Sequence, residues 1–69
     1  MIKMGYDNKQ FKLINKDTGI EVNEGDDIVS FRGVATKVNY VQAPHKPSSS
    51  GKVNGYYASV YNLKWEEIQ

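Results

Sequence analysis

From Lys9 onward, apolar and polar residues alternate over short runs, and glycine, asparagine or aspartate interrupts each run after a few positions. A period of two places alternate side chains on opposite faces of an extended chain, so the pattern predicts strands rather than helices. Residues 9–14 read as a strand with Phe11 and Leu13 on one face and Lys12 on the other. The turn Asn15-Lys16-Asp17-Thr18-Gly19 follows, where Asn and Asp bond the local backbone and glycine accepts positive φ. Ile20 and Val22 continue the alternation as a short second arm. A second turn, Asn23-Glu24-Gly25-Asp26, leads into a strand from Asp27 to Phe31.

Arg32-Gly33 reads as a tight connection. The clearest alternation comes next, from Val34 to Gln42, with Val34, Thr36, Val38 and Tyr40 on one face and Lys37 and Asn39 opposite. Residues 43–51 (APHKPSSSG) have the composition of a loop, since prolines and serines at this density sustain neither ladder nor helix. Lys52 to Val60 is strand-like with a kink or bulge at Gly55. Ser59 to Leu63 predicts one 3₁₀ turn, and Lys64-Trp65-Glu66 a short closing strand. Residues 1–8 lack clean periodicity and read as a loose N-terminal arm or a short edge strand.

No window keeps an apolar stripe at i, i+3, i+4 and i+7, so no α-helix is expected. Five short strands at close spacing predict an all-β fold, a small five-stranded SH3-like barrel, with an OB-type barrel as the second choice. Closure also removes exposed strand edges. The expected core is Phe11, Leu13, Val22, Ile28, Phe31, Val38, Tyr40, Val53, Val60, Leu63 and Trp65.

The 69 residues are expected to form a single domain. A chain this short buries about 60% of its unfolded surface, and its stability should fall at roughly 3–10 kcal/mol. It has no cysteine, so disulfides and thiolate zinc sites are excluded. Its apolar runs are too short for a membrane span or a secretory core, and no repeat is visible. The Met1 start without a leader gives the expectation of a complete intracellular protein.

Net charge is +1, but its distribution is uneven. Residues 17–27 hold five acids and no base, whereas residues 28–64 hold Arg32, Lys37, Lys46, Lys52 and Lys64 with no acid. In a folded barrel the two segments can lie side by side and cancel.

The pattern Thr18-Gly19-x-x-Val22-x-x-Gly25-Asp26-x-Ile28-x-x-Phe31-Arg32-Gly33 resembles the opening of SH3-like barrels. Val60-Tyr61-Asn62-Leu63-Lys64-Trp65 resembles their 3₁₀ turn and last strand. Together with Pro44-His45-Lys46-Pro47-Ser48-Ser49-Ser50-Gly51-Lys52-Val53, residues 11–66 resemble a group of small proteins encoded by bacteriophages and prophages. The resemblance implies a phage accessory protein, located in the cytoplasm of a bacterial host. That group carries no established activity, so no catalytic residue is implied.

Several constellations fail as reactive sites. Ser48-Ser49-Ser50-Gly51-Lys52 lacks the first glycine of a phosphate-binding P-loop, places Val53 where Ser or Thr is needed, and precedes a strand. His45 is the sole histidine, no carboxylate lies within 17 residues of it on either side, and it therefore lacks both metal co-ligands and an orienting acid nearby in sequence. A triad completed by Asp26 or Asp27 would need tertiary proximity that nothing in the sequence requires. Glu24, Asp26 and Asp27 lack the spacing of a calcium loop and read as a solvated turn. The expectation is therefore a non-catalytic chain without cofactor or metal.

The segment with binding chemistry is 43–57. Prolines restrict its loop, which lowers the ordering cost of binding. His45, Lys46, Ser48, Ser49, Ser50 and Lys52 supply cations and hydroxyls. Tyr56 and Tyr57 are strand neighbours, so one of them must face outward. With Arg32 and Lys37, these residues form the candidate site. Tyrosine-rich surfaces suit protein partners. Cations interleaved with aromatics suit single-stranded nucleic acid. A protein partner is favoured over nucleic acid because the total charge is close to neutral. A membrane partner is not expected.

Overall fold

The computed structural model describes residues 2–30 and 32–68. Eight short strands carry the fold: β1 (Ile2–Met4), β2 (Gln10–Asn15), β3 (Asp27–Val29), β4 (Ala35–Lys37), β5 (Val41–Gln42), β6 (Lys52–Val53), β7 (Tyr56–Tyr57) and β8 (Leu63–Ile68). Two 3₁₀ turns, Tyr6–Asn8 and Ala58–Tyr61, complete the regular structure. The strands form three antiparallel sheets in the orders β1-β2-β8, β3-β4 and β5-β6-β7.

The chain is all-β, as its alternation requires. The strand count departs from the expected five, and among the described residues no ladder joins the three sheets into a closed barrel. The physical reason is a set of local interruptions that shorten the strands.

The longest ladder joins β2 to β8 and sets Leu13 opposite Trp65 and Asn15 opposite Leu63. Phe11 and Leu13 are buried, as alternation predicts. Ile14 faces the other way yet is also buried, because the chain doubles back after the turn at residues 15–19. There Asn15 Oδ1 accepts the Asp17 and Thr18 amides at 2.8 and 3.1 Å, and Ile14 bridges Glu21. The doubling-back ends with the Val22 amide donating to the Leu13 carbonyl at 2.8 Å.

The N-terminal segment takes the edge-strand alternative. β1 pairs with β2 from Ile2↔Lys12 to Met4↔Gln10, and the Tyr6 amide donates to the Pro44 carbonyl at 3.0 Å. Lys9 reaches across to Glu67 at 3.5 Å, and that carboxylate holds the Lys9 ammonium pKa above its ordinary value. Met1 and Phe31, one in the expected arm and one in the expected core, lie outside the described residues.

The single strand expected from Val34 to Gln42 is divided. β4 ends at Lys37 and β5 starts at Val41. Val38 stays with β3, donating to the Asp26 carbonyl at 3.0 Å and accepting from the Gly25 amide at 2.7 Å. Val38 is fully buried, but its expected face-mates Val34 and Tyr40 are exposed. A bend between the two halves breaks the period of two, and Tyr40 leaves the core.

Residues 52–60 are likewise not one kinked strand. Val53 pairs with Tyr56, and the two residues between them, Asn54 and Gly55, have φ of +53° and +83°. Positive φ at both central positions is the requirement of the tightest antiparallel hairpin turn, and Asn-Gly is its preferred sequence. The 3₁₀ turn follows directly and ends at Asn62 in the left-handed region.

The core gathers Leu13, Ile28, Val38, Val41, Val53, Ala58, Tyr61 and Leu63, with Val22, Val60 and Trp65 packed on its margin. Of the residues expected inside, Tyr40 alone is found exposed among those described. Ile14, Val41, Ala43, Ala58 and Tyr61 join the interior beyond that expectation.

Leu13 is fully buried, so Leu13→Ala should cost about 2–5 kcal/mol, a large part of the stability of so small a chain. Tyr40→Ala should stay within about 0.5 kcal/mol, since its side chain is in water and its backbone bonds survive. Urea unfolding midpoints at constant m-value give both numbers, and equal losses would contradict this placement of the core.

Candidate functional site

The hairpin turn at Asn54-Gly55 organises the most aromatic part of the surface. Asn54 Oδ1 accepts the amides of Asn39 and Tyr40 at 2.8 and 3.1 Å. Its Nδ2 donates to the Lys37 carbonyl at 2.7 Å, and its own amide donates to the Tyr40 carbonyl at 2.6 Å. One side chain thus satisfies backbone groups that the break between β4 and β5 would leave unpaired. It clips the bend shut and fixes where Tyr40 stands.

Tyr56 and Tyr57 sit on β7, an edge strand of two residues. Alternation turns them to opposite sides, but neither side is covered, and both rings remain in water. Tyr56 borders a shallow depression of about 550 Å³ with Tyr40, Thr36, Asn54 and the buried Tyr61. Tyr57 faces the other way, with Lys52 Nζ 5.9 Å from its ring centroid, within cation–π range.

The proline-serine loop is fixed at both ends. Ala43 and Pro44 are buried at its root. Pro47 and Ser48 form the middle of a turn closed by the Ser49 amide donating to the Lys46 carbonyl at 2.9 Å. At its exit Gly51, with φ +73°, lies flat against the Trp65 indole. A Cβ there would collide with the indole Cδ1 and come within 2.8 Å of the Gln42 carbonyl oxygen. Only glycine meets both demands.

The residues singled out by sequence do not converge on one surface. His45 lines a depression of about 330 Å³ with Lys3, Tyr6 and Val41. Ser49 and Ser50 border a different one, about 250 Å³, beside Pro47 and Trp65. Lys46 and Ser48 are exposed on the loop. Arg32 is exposed in the β3–β4 connection, and Lys37 pairs with Asp27 at 3.3 Å. Lys52, Tyr56 and Tyr57 do come together around the hairpin.

A groove of about 690 Å³ lies over the acidic segment between Ile20, Asp26, Asp27 and Tyr61. Its acids already have partners: Asp26 Oδ2 accepts the Asn23 amide at 2.8 Å, and Asp27 holds Lys37. Among the described residues no group of three His, Asp or Glu side chains is placed to hold a metal ion.

Protein-family models, curated proteins and solved structures all return no match to this chain.

Sequence reasoning missed Tyr40 and Asn54. Tyr40 was hidden by an alternation that continues through the bend. Asn54 carried a usable signal, since Asn-Gly between Val53 and Tyr56 is the strongest short-range hairpin sign.

Asn54→Gly keeps the left-handed backbone accessible and removes only the clip. It should lower stability by about 0.5–1.5 kcal/mol, because the freed backbone groups are exposed and turn to water. It should also speed hydrogen exchange at the Asn39 and Tyr40 amides. Unchanged exchange at both amides would show that the side chain does not hold the bend.

Proposed function

We propose that the chain is a small non-catalytic binding module that docks a protein partner through the hairpin surface of Tyr40, Tyr56 and Tyr57, with the adjoining 43–57 loop as its border. The observation that carries this reading is exposure: Tyr40, Tyr56 and Tyr57, three of the chain's five tyrosines, are 58%, 62% and 60% exposed. A tyrosine ring offers a large rigid contact area at low conformational-entropy cost, and such rings anchor protein interfaces. β7 leaves an edge open beside them, so an extended segment of the partner gains short backbone pairing as well as aromatic contact.

The finer architectural reading goes with this proposal. The 3₁₀ turn Ala58–Tyr61 leads into a last strand that pairs with the first long strand, which supports an SH3-like arrangement. The resemblance to phage-encoded proteins makes a phage accessory factor in a bacterial cytoplasm the accompanying biological proposal.

Nucleic acid is the second reading, and Lys52 beside the exposed Tyr57 favours it as a cation next to a stacking ring. Charge weighs against it. Lys37 and Lys64, two of the five bases in the acid-free stretch, pair with Asp27 and Glu66 at 3.3 and 3.9 Å.

An amide NMR spectrum titrated with short oligonucleotides at low and moderate salt separates the readings. The docking proposal expects no oligonucleotide shifts. It also expects capture of a protein by the parent chain that falls about tenfold or more in Tyr56→Ser and Tyr57→Ser variants that still fold. Salt-sensitive shifts at Lys46, Lys52 and Tyr57, with a log–log salt slope of about −1.5 to −2.5, would overturn docking in favour of nucleic acid.

A further inference from the structure

Asn54 is the only one of the six asparagines in the chain that is followed by glycine. The five others precede Lys9, Lys16, Glu24, Tyr40 and Leu63, whose side chains shield the backbone amide that would have to react. Gly55 has no side chain, and it is exposed in the tip of the hairpin. We infer that Asn54 is a site of spontaneous backbone-assisted deamidation, held in check by the clip that its own side chain forms.

The chemistry needs only water. The Gly55 amide nitrogen, deprotonated by solvent base, attacks Cγ of Asn54. A new N–Cγ bond forms, the Cγ–Nδ2 bond breaks, and the nitrogen leaves as ammonia with a proton from water. Water then opens the cyclic imide at one of its two carbonyls. Breaking the N–Cγ bond gives aspartate; breaking the bond to the backbone carbonyl carbon gives isoaspartate, whose main chain carries one extra carbon. The balance is one water consumed and one ammonia released, with no oxidant or reductant.

The folded geometry opposes the first step. Three hydrogen bonds tie the Asn54 amide to the backbone of Asn39, Tyr40 and Lys37, which restrains Cγ from swinging onto the next residue's nitrogen. Attack therefore requires the clip to open, so the rate follows the open fraction of the hairpin. The same bonds make the product incompatible with the closed bend. Aspartate still accepts from Asn39 and Tyr40, but it has no donor for the Lys37 carbonyl, which stood 2.7 Å from Nδ2. It sets a carboxylate against that oxygen, leaving the carbonyl unpaired. The added charge takes the formal net charge from +1 to zero. The reaction is irreversible in water, so each opening that leads to it removes a molecule from the closed form and loosens the Tyr40 side of the aromatic surface.

The test follows the one-dalton mass gain at Asn54 by peptide mapping while the intact protein is held at mildly alkaline pH, native and in denaturant. Deamidation should appear first at Asn54, and about tenfold or more slowly in the native protein than in the denatured chain. The Asn54→Asp variant should unfold at lower denaturant, because the Lys37 carbonyl loses its donor. Equal native and denatured rates would overturn the gating by the clip, whether or not that variant folds. First modification at another asparagine would overturn the site itself.

Discussion

Leu13 opposite Trp65 and Asn15 opposite Leu63 belong to a six-residue antiparallel ladder between two strands nearly fifty residues apart in the chain. Everything between them has to fit within the closure of that ladder. It brings the 3₁₀ turn Ala58–Tyr61 under the core and carries Trp65 to where Gly51 meets its indole. The proline-serine loop is thereby fastened at its far end by a residue from the last strand. Loop-closure entropy makes so distant a pairing costly, and the burial of Leu13 and Leu63 at its heart offsets that cost.

Elements whose signal is local were legible in the sequence. The strand at Phe11 and Leu13, the Asn15–Gly19 turn, the loop at 43–51 and the turn before the closing strand all follow from residues within a few positions of one another. What escaped was set by tertiary partners. Val34, Thr36, Val38 and Tyr40 line one face opposite Lys37 and Asn39, yet the segment bends where a side chain fifteen positions away from Asn39 pairs with its backbone. Ile14 is on the polar side of its strand by period, yet it is buried by a doubling-back of the chain that periodicity does not encode. The candidate site suffered in the same way. Residues 43–57 are contiguous in sequence, but a loop folded onto Trp65 presents His45 and Ser49 to different depressions.

Charge shows the same contrast between sequence order and spatial order. The acid-free stretch reads as a basic surface only while the chain is linear. Folding sets Asp27 against Lys37 through strand pairing, and Glu66 beside Lys64 on the last strand. These pairs are exposed and add little stability, at most about 1 kcal/mol each. Their larger consequence is for recognition, because they reduce the positive field that phosphate binding would draw on.

Exposed tyrosines and a self-satisfied bend are two outcomes of one local arrangement. β4 ends at Lys37 and β5 starts at Val41 in a different sheet, and Asn54 holds the bend between them where Tyr40 leaves the alternation. β7 keeps only two residues between the hairpin turn and the 3₁₀ turn, and Tyr56 and Tyr57 stay exposed on this short edge strand. The aromatic surface therefore depends on the geometry of this turn, and the asparagine at its head links the backbone order of the bend to the surface available for recognition.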